Sequence, residues 1–124
     1  FQRGNVIENM LGRNLPQNYP TIDKWNVATG EATSIKSLDL AAKTYQNIPS
    51  FTSKVQGYIT TLANWNGNPQ SWGGAPAIPA NLINSRVLEL AIPSTGTPAQ
   101  LAALSQLQIF ATQQGVQLVV IVIP

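Results

Sequence analysis

Arg86-Val87-Leu88-Glu89-Leu90-Ala91-Ile92-Pro93, then Thr97-Pro98, then Gly115-Val116-Gln117-Leu118-Val119-Val120-Ile121-Val122-Ile123 is the stretch that decides the fold. Residues 86–92 read as a strand that stops at Pro93, because proline has no amide to continue a ladder. Thr97 supplies a helix cap and Pro98 takes the first helical position, where a missing amide costs nothing. Gly115 closes that helix, and residues 116–123 form a nearly continuous apolar run of strand length. A strand, a helix and a strand in that order, the last apolar on both faces, predict a right-handed βαβ crossover with parallel pairing.

Upstream, residues 66–81 are rich in Gly, Pro and Asn and read as an ordered surface loop with Trp72 in its middle. Residues 39–47 and 49–65 read as helices, the second with Phe51, Val55, Tyr58, Ile59 and Leu62 around one side and Lys54 toward solvent. Residues 19–27 and 32–38, joined by Ala28-Thr29-Gly30, read as a β-hairpin. In its second strand Ser34 and Lys36 share a face, since strand side chains alternate. Residues 4–12 carry Val6, Ile7, Met10 and Leu11 at helical spacing, with Glu8 beside that stripe, and Gly12 followed by Leu15-Pro16 ends the helix.

The chain has 124 residues with 44% hydrophobic content, enough for one modest core, so residues 1–124 are expected to form a single domain. It contains no cysteine and no histidine, which removes thiol nucleophiles, Cys/His zinc sites, imidazole bases and disulfides together. Carboxylate, lysine and hydroxyl chemistry remains. The net charge of +2 permits a polyanionic partner without announcing one. No apolar run approaches the roughly 20 residues of a membrane span, so a soluble domain without stable membrane association is expected. The chain starts at Phe1 without a signal-peptide pattern and reads as a piece of a longer polypeptide.

The order helix, strand, strand, helical insertion, strand, helix, strand resembles the PD-(D/E)xK nucleases, the restriction endonuclease-like fold. That resemblance implies an α/β three-layer core: a mixed central sheet with flanking helices, residues 39–81 being the insertion. Asp23, placed in the first strand after Pro20, and Ser34-Ile35-Lys36 in the second fall where that family carries its acids and lysine, and Glu8 comes from the preceding helix. Phosphodiester hydrolysis uses a divalent cation to neutralise charge and activate water, and Mg²⁺ prefers carboxylate oxygens, which Glu8 and Asp23 can supply. Lys36 would orient the attacking water or stabilise the crowded phosphorus. Ser34 brings a neutral hydroxyl to the usual acidic slot, leaving a metal one charge short. Either affinity for Mg²⁺ is low or an RNA substrate supplies its own 2′-hydroxyl.

Asn14-Leu15-Pro16, Tyr19-Pro20-Thr21-Ile22-Asp23, Gly30, Ala32-Thr33-Ser34-Ile35-Lys36-Ser37 and Asp39-Leu40 together resemble the tRNase toxin domains at the C-terminus of CdiA-type contact-dependent growth inhibition effectors. Residues 86–93 and Gly115-Val116 look like the same family's second half. The resemblance implies a secreted or cell-surface effector whose toxin domain acts in the cytoplasm of target bacteria. It also implies tRNA as substrate and a cognate immunity protein of the CdiI type as partner. Glu8, Asp23, Ser34 and Lys36 carry over as the catalytic group, with Lys43, Tyr45 and Arg86 facing substrate.

Each residue also has a plainer reading. Glu8 is an ordinary carboxylate on a helix rim, Lys36 an edge-strand guard, Asp39 a helix cap and Arg86 an ion-pair partner of Glu89 or Asp39. Trp65 and Trp72 suit core or loop anchoring better than base stacking. Two other functions stay open: a DNA endonuclease on the same scaffold, and a binding module that kept the fold without the chemistry.

Overall fold

The sheet is built outward from β2 (Glu31–Ser37) and β3 (Ser85–Ile92), which run parallel from Glu31 opposite Ser85 to Ser37 opposite Ala91. In this computed structural model residues 2–71, 73–75 and 77–124 are described. β1 (Lys24–Asn26) pairs antiparallel with β2, Lys24 facing Thr33, and β4 (Gln117–Val122) pairs parallel with β3, Val87 facing Gln117. The order β1-β2-β3-β4 is a mixed four-stranded sheet, as expected. The β3, helix, β4 unit has the parallel pairing that its sequence dictates.

Helices cover both faces. α1 (Gln2–Met10) lies on one side, where Ile7 packs with Ile35, Ala91, Leu11 and Ile123. α3 (Ile48–Ala63) and α4 (Pro98–Gln113) lie on the other and supply Phe51, Val55, Ile59, Leu62, Leu104, Leu107 and Ala111 to the main core. That core also takes Ala32, Leu88, Leu90, Ile92 and Leu118 from the strands. Leu88 and Leu90 alternate with Glu89 because successive strand side chains point to opposite faces. A short α2 (Lys43–Gln46) precedes α3. No helix among the described residues is long and apolar enough to cross a membrane.

Four expectations change. Along α1 only Ile7 is buried, with Leu11 half-buried, while Val6 and Met10 face solvent at 56% and 63% exposure. The apolar stripe is one residue wide, since a single helix on a small sheet face covers little of itself. The first strand shrinks to three residues and Asp23 stands just before it: Thr21 has φ of 70° and the Ile22 amide bonds the Pro20 carbonyl, a γ-turn that breaks the extended run. Asp39 accepts from the Ala41 amide in a local turn, and Ala42 occupies the N-cap of α2. β4 is an edge strand, with Val119 to Ile121 half-buried and Val122 exposed, because no fifth strand among the described residues closes beyond it. The loop at 66–81 is pinned by the pairing of Asn68 with buried Ile78, while Trp72 lies outside the described residues.

Gln100 joins the helical layer to the insertion. Its backbone and side chain complete a capping box with Thr97, and its buried amide donates to the carbonyls of Leu40 at 2.9 Å and Tyr45 at 2.8 Å. Removing that amide strands two acceptors in a dry site, and each unsatisfied buried group costs about 1–3 kcal/mol. Gln100→Leu is therefore expected to lower unfolding free energy by about 3 kcal/mol in urea titrations. A loss below 1 kcal/mol would show that the two carbonyls find water instead.

Candidate active site

Asp23 is held from three directions. Its amide donates to the Thr33 carbonyl at 2.9 Å, its carbonyl accepts from the Asn14 and Leu15 amides, and its Oδ2 accepts from the Ile35 amide at 2.7 Å. The carboxylate is thus fastened to the middle of β2 although its residue lies outside β1. Thr21, two residues earlier, is a β-branched residue at positive φ, a conformation that costs on the order of 1–3 kcal/mol and that tends to collect at functional sites.

Glu8 reaches the same region from α1. Its Oε1 lies 2.6 Å from Nη1 of Arg13, whose other terminal nitrogen donates to Asn9 and whose amide donates to the Glu8 carbonyl. Arg13 therefore orients Glu8 through the fork of one guanidinium. Lys24 braces the helix end from below, donating to the Leu11 carbonyl at 2.9 Å and standing 3.4 Å from Glu89. Glu89 accepts no hydrogen bond at that buried oxygen, so the contact is an ion pair only. Neither Arg13 nor Lys24 stood out in the sequence. Their one signal was position, immediately after the helix and immediately after Asp23.

Ser34 and Lys36 share the opposite face of β2, Ser34 buried and Lys36 half-buried with its ammonium 5.4 Å from the centre of the Tyr58 ring. Both line a cavity of about 140 Å³ together with Thr21, Tyr58, Thr61 and Leu62. Burial pushes the Asp23 carboxyl up to about 6 from an ordinary 3.8, and the charge of Glu8 adds to the rise; the Ile35 amide, Lys36 and Arg13 pull the other way. Asp23 thus feels the charges of Glu8, Lys36 and Arg13. Its carboxylate is fastened to the Ile35 amide, between Ser34 and Lys36 along β2, while Glu8 comes from α1 on the Ile35 side of the sheet.

The remaining three candidates stand elsewhere. Arg86 donates to the Trp65 carbonyl at 2.8 Å, and it lies opposite Ala32 in the ladder, four positions along from Lys36. Its guanidinium anchors the start of the loop that follows α3 and pairs with neither Glu89 nor Asp39. Trp65 is a buried core residue. Tyr45 is half-buried and lines a wider groove of about 730 Å³ along α2 and α3, whereas Lys43 is exposed at the start of α2 outside its walls.

No cluster of three or more acidic metal-ligating side chains exists among the described residues. Two half-buried carboxylates still suit Mg²⁺, which keeps several waters and takes one or two carboxylates plus substrate phosphate. The sign of the Asp23 shift makes this testable. Its ionised form is the one the fold disfavours, so the cost is absent below about 3.8 and full above about 6. In EDTA, Asp23→Asn should match the native chain in melting temperature near pH 4 and exceed it by about 1–2 kcal/mol of stability above pH 6.5, after discounting for solvent. A gap that does not change with pH would show that the carboxyl ionises freely.

The family described as CDI toxin restriction endonuclease-like domain matches residues 3–121. Deoxyribonuclease CdiA-o11 of Escherichia coli O157:H7 (strain EC869) is 29% identical over 127 aligned positions, which span 97% of this chain and 33% of that protein. The chain thus spans about one third of the length of this curated relative. Among solved structures, the CdiA-CT/CdiI toxin and immunity complex from Yersinia pseudotuberculosis contains a chain with TM-score 0.79 and 25% identity, covering 95% of this chain and 98% of that one.

Proposed function

The chain belongs to the CDI toxin restriction endonuclease-like domain family, and from that premise we propose that residues 1–124 form one nuclease toxin domain that cleaves DNA. The observation that carries the activity is the half-buried carboxylate of Asp23, fastened to the Ile35 amide between Ser34 and Lys36 and under the charges of Glu8, Lys36 and Arg13. DNA is favoured over the tRNA expected from sequence because the relative that covers nearly the whole chain is a deoxyribonuclease.

Glu8 and Asp23 would hold a divalent cation, which when bound supplies positive charge at the scissile phosphate and lowers the pKa of water there. Arg13 keeps Glu8 turned toward that position. Lys36, braced against Tyr58, presents a fixed ammonium to the phosphoryl oxygens and hydrogen-bonds the attacking water, so charge that builds in the transition state meets a preformed partner. Ser34 contributes a hydroxyl that can orient the same water or a phosphate oxygen. The Ile35 amide leaves only one oxygen of Asp23 fully available, which fixes the direction from which a ligand must approach.

The domain is proposed to act inside target bacteria as part of a longer effector. An immunity protein, the kind of partner in the complex it resembles, would cover the Lys36 region with acidic groups that complement the lysine's charge.

Supercoiled plasmid and bulk tRNA, each incubated with the chain in Mg²⁺ or in EDTA, test both activity and polymer. Plasmid should be nicked and linearised in Mg²⁺ alone, and Asp23→Ala and Lys36→Ala should each slow cleavage by about a hundredfold or more while remaining folded. Cleavage of tRNA with intact plasmid would return the target to tRNA. Activity undiminished in Asp23→Ala would remove the site.

A further inference from the structure

α3 carries a second stripe besides its buried one. Phe51, Val55, Ile59 and Leu62 face the core, while Ser50, Ser53, Lys54, Gly57, Tyr58 and Thr61 recur at three- and four-residue spacing along one wall of the 730 Å³ groove. Tyr58 and Thr61 also line the small cavity that holds Ser34 and Lys36, so the groove adjoins the Lys36 side of the candidate active site. Lys54 and Lys36 both stand 5.4 Å from the Tyr58 ring centre. Their ammonium groups are no farther apart than twice that distance, a span of a few phosphates along one DNA strand at roughly 3.4 Å of axis each.

Charge points the same way. Between Asp39 and Glu89 the chain has no acidic residue, while Lys43, Lys54 and Arg86 fall within that interval. The stripe otherwise offers hydroxyls, which donate to phosphate oxygens without repelling them. Gly57 adds an independent clue. Glycine in the middle of a helix weakens it, and a Cβ built at Gly57 would meet nothing within 4 Å, so no packing inside the chain requires its absence. What a bare backbone at that point does provide is room for a ligand to lie close to the helix.

We infer that the Ser50 to Thr61 face of α3 is the track on which the substrate strand lies beyond the scissile phosphate, with Lys54 holding a backbone phosphate and Gly57 giving the strand its closest approach. The proposal rests on the site being a DNA nuclease. Lys54 and Tyr58 are positioning residues in this arrangement, acting on binding and register.

The test uses a fluorescein-labelled DNA duplex bound in EDTA across a salt series, alongside plasmid cleavage in Mg²⁺ and thermal melting. Lys54→Ala should weaken binding about five- to tenfold at 0.1 M salt and reduce the slope of log affinity against log salt by about 0.9, the signature of one lost phosphate contact. Gly57→Leu should raise the melting temperature, since leucine is the better helix former, and yet lower duplex affinity and cleavage by at least tenfold. A native chain that cuts plasmid while both variants keep its affinity and salt slope would overturn the track and leave the nuclease intact. A native chain that neither binds nor cuts DNA would remove the nuclease reading and the track with it. Binding of tRNA in place of the duplex, lost in both variants, would assign the face to the other polymer and overturn the proposal as made.

Discussion

The hydrogen bond from the Ile35 amide to the Asp23 carboxylate is the constraint on which the rest of the site depends. It ties a side chain from the irregular segment before β1 to the central strand pair, and through it a carboxyl is held in a poorly hydrated position. Everything around that carboxyl then responds to one electrostatic problem. Glu8 aggravates it, while Arg13 and Lys36 relieve it, and the balance leaves the group harder to ionise than an ordinary carboxyl. A divalent cation placed between the two acids would complete the neutralisation that the protein leaves unfinished.

Local rules are broken just where this site is assembled. Thr21 sits at positive φ next to the small cavity, Asp23 is half-buried with only partial compensation, and Gly57, a weak helix former, stands in the middle of α3 along the adjoining groove. Elsewhere the chain is locally consistent, from the capping box at Thr97 to the apolar stripes of α3, β2 and β3. Such a division is expected when a scaffold holds strain for function rather than for stability.

Sequence made the scaffold legible where local chemistry is strong. Thr97-Pro98 and Gly115 delimit α4 because caps are short-range devices, and the apolar run after Gly115 is a strand as read, although its place at the sheet edge leaves it half-buried. The alternation that put Ser34 and Lys36 on one face survived because β2 is a regular strand with both neighbours present. What stayed illegible was settled by distant contacts. Asp23 left the strand because a γ-turn intervenes, Arg86 was claimed by a carbonyl 21 residues away, and Val6 and Met10 found no partner because α1 covers its sheet face alone. Sequence put Tyr58 with the apolar side of α3 and Lys54 toward solvent, and nothing in it said that Tyr58 borders Lys36.

Crystals soaked in Mn²⁺ and measured for anomalous scattering put the central claim to its most direct trial. A single strong peak within direct ligand distance of both Glu8 and Asp23, on the side open to Lys36, is the predicted outcome. A peak bound to only one of these carboxylates, or none at concentrations that support cleavage, would contradict the account.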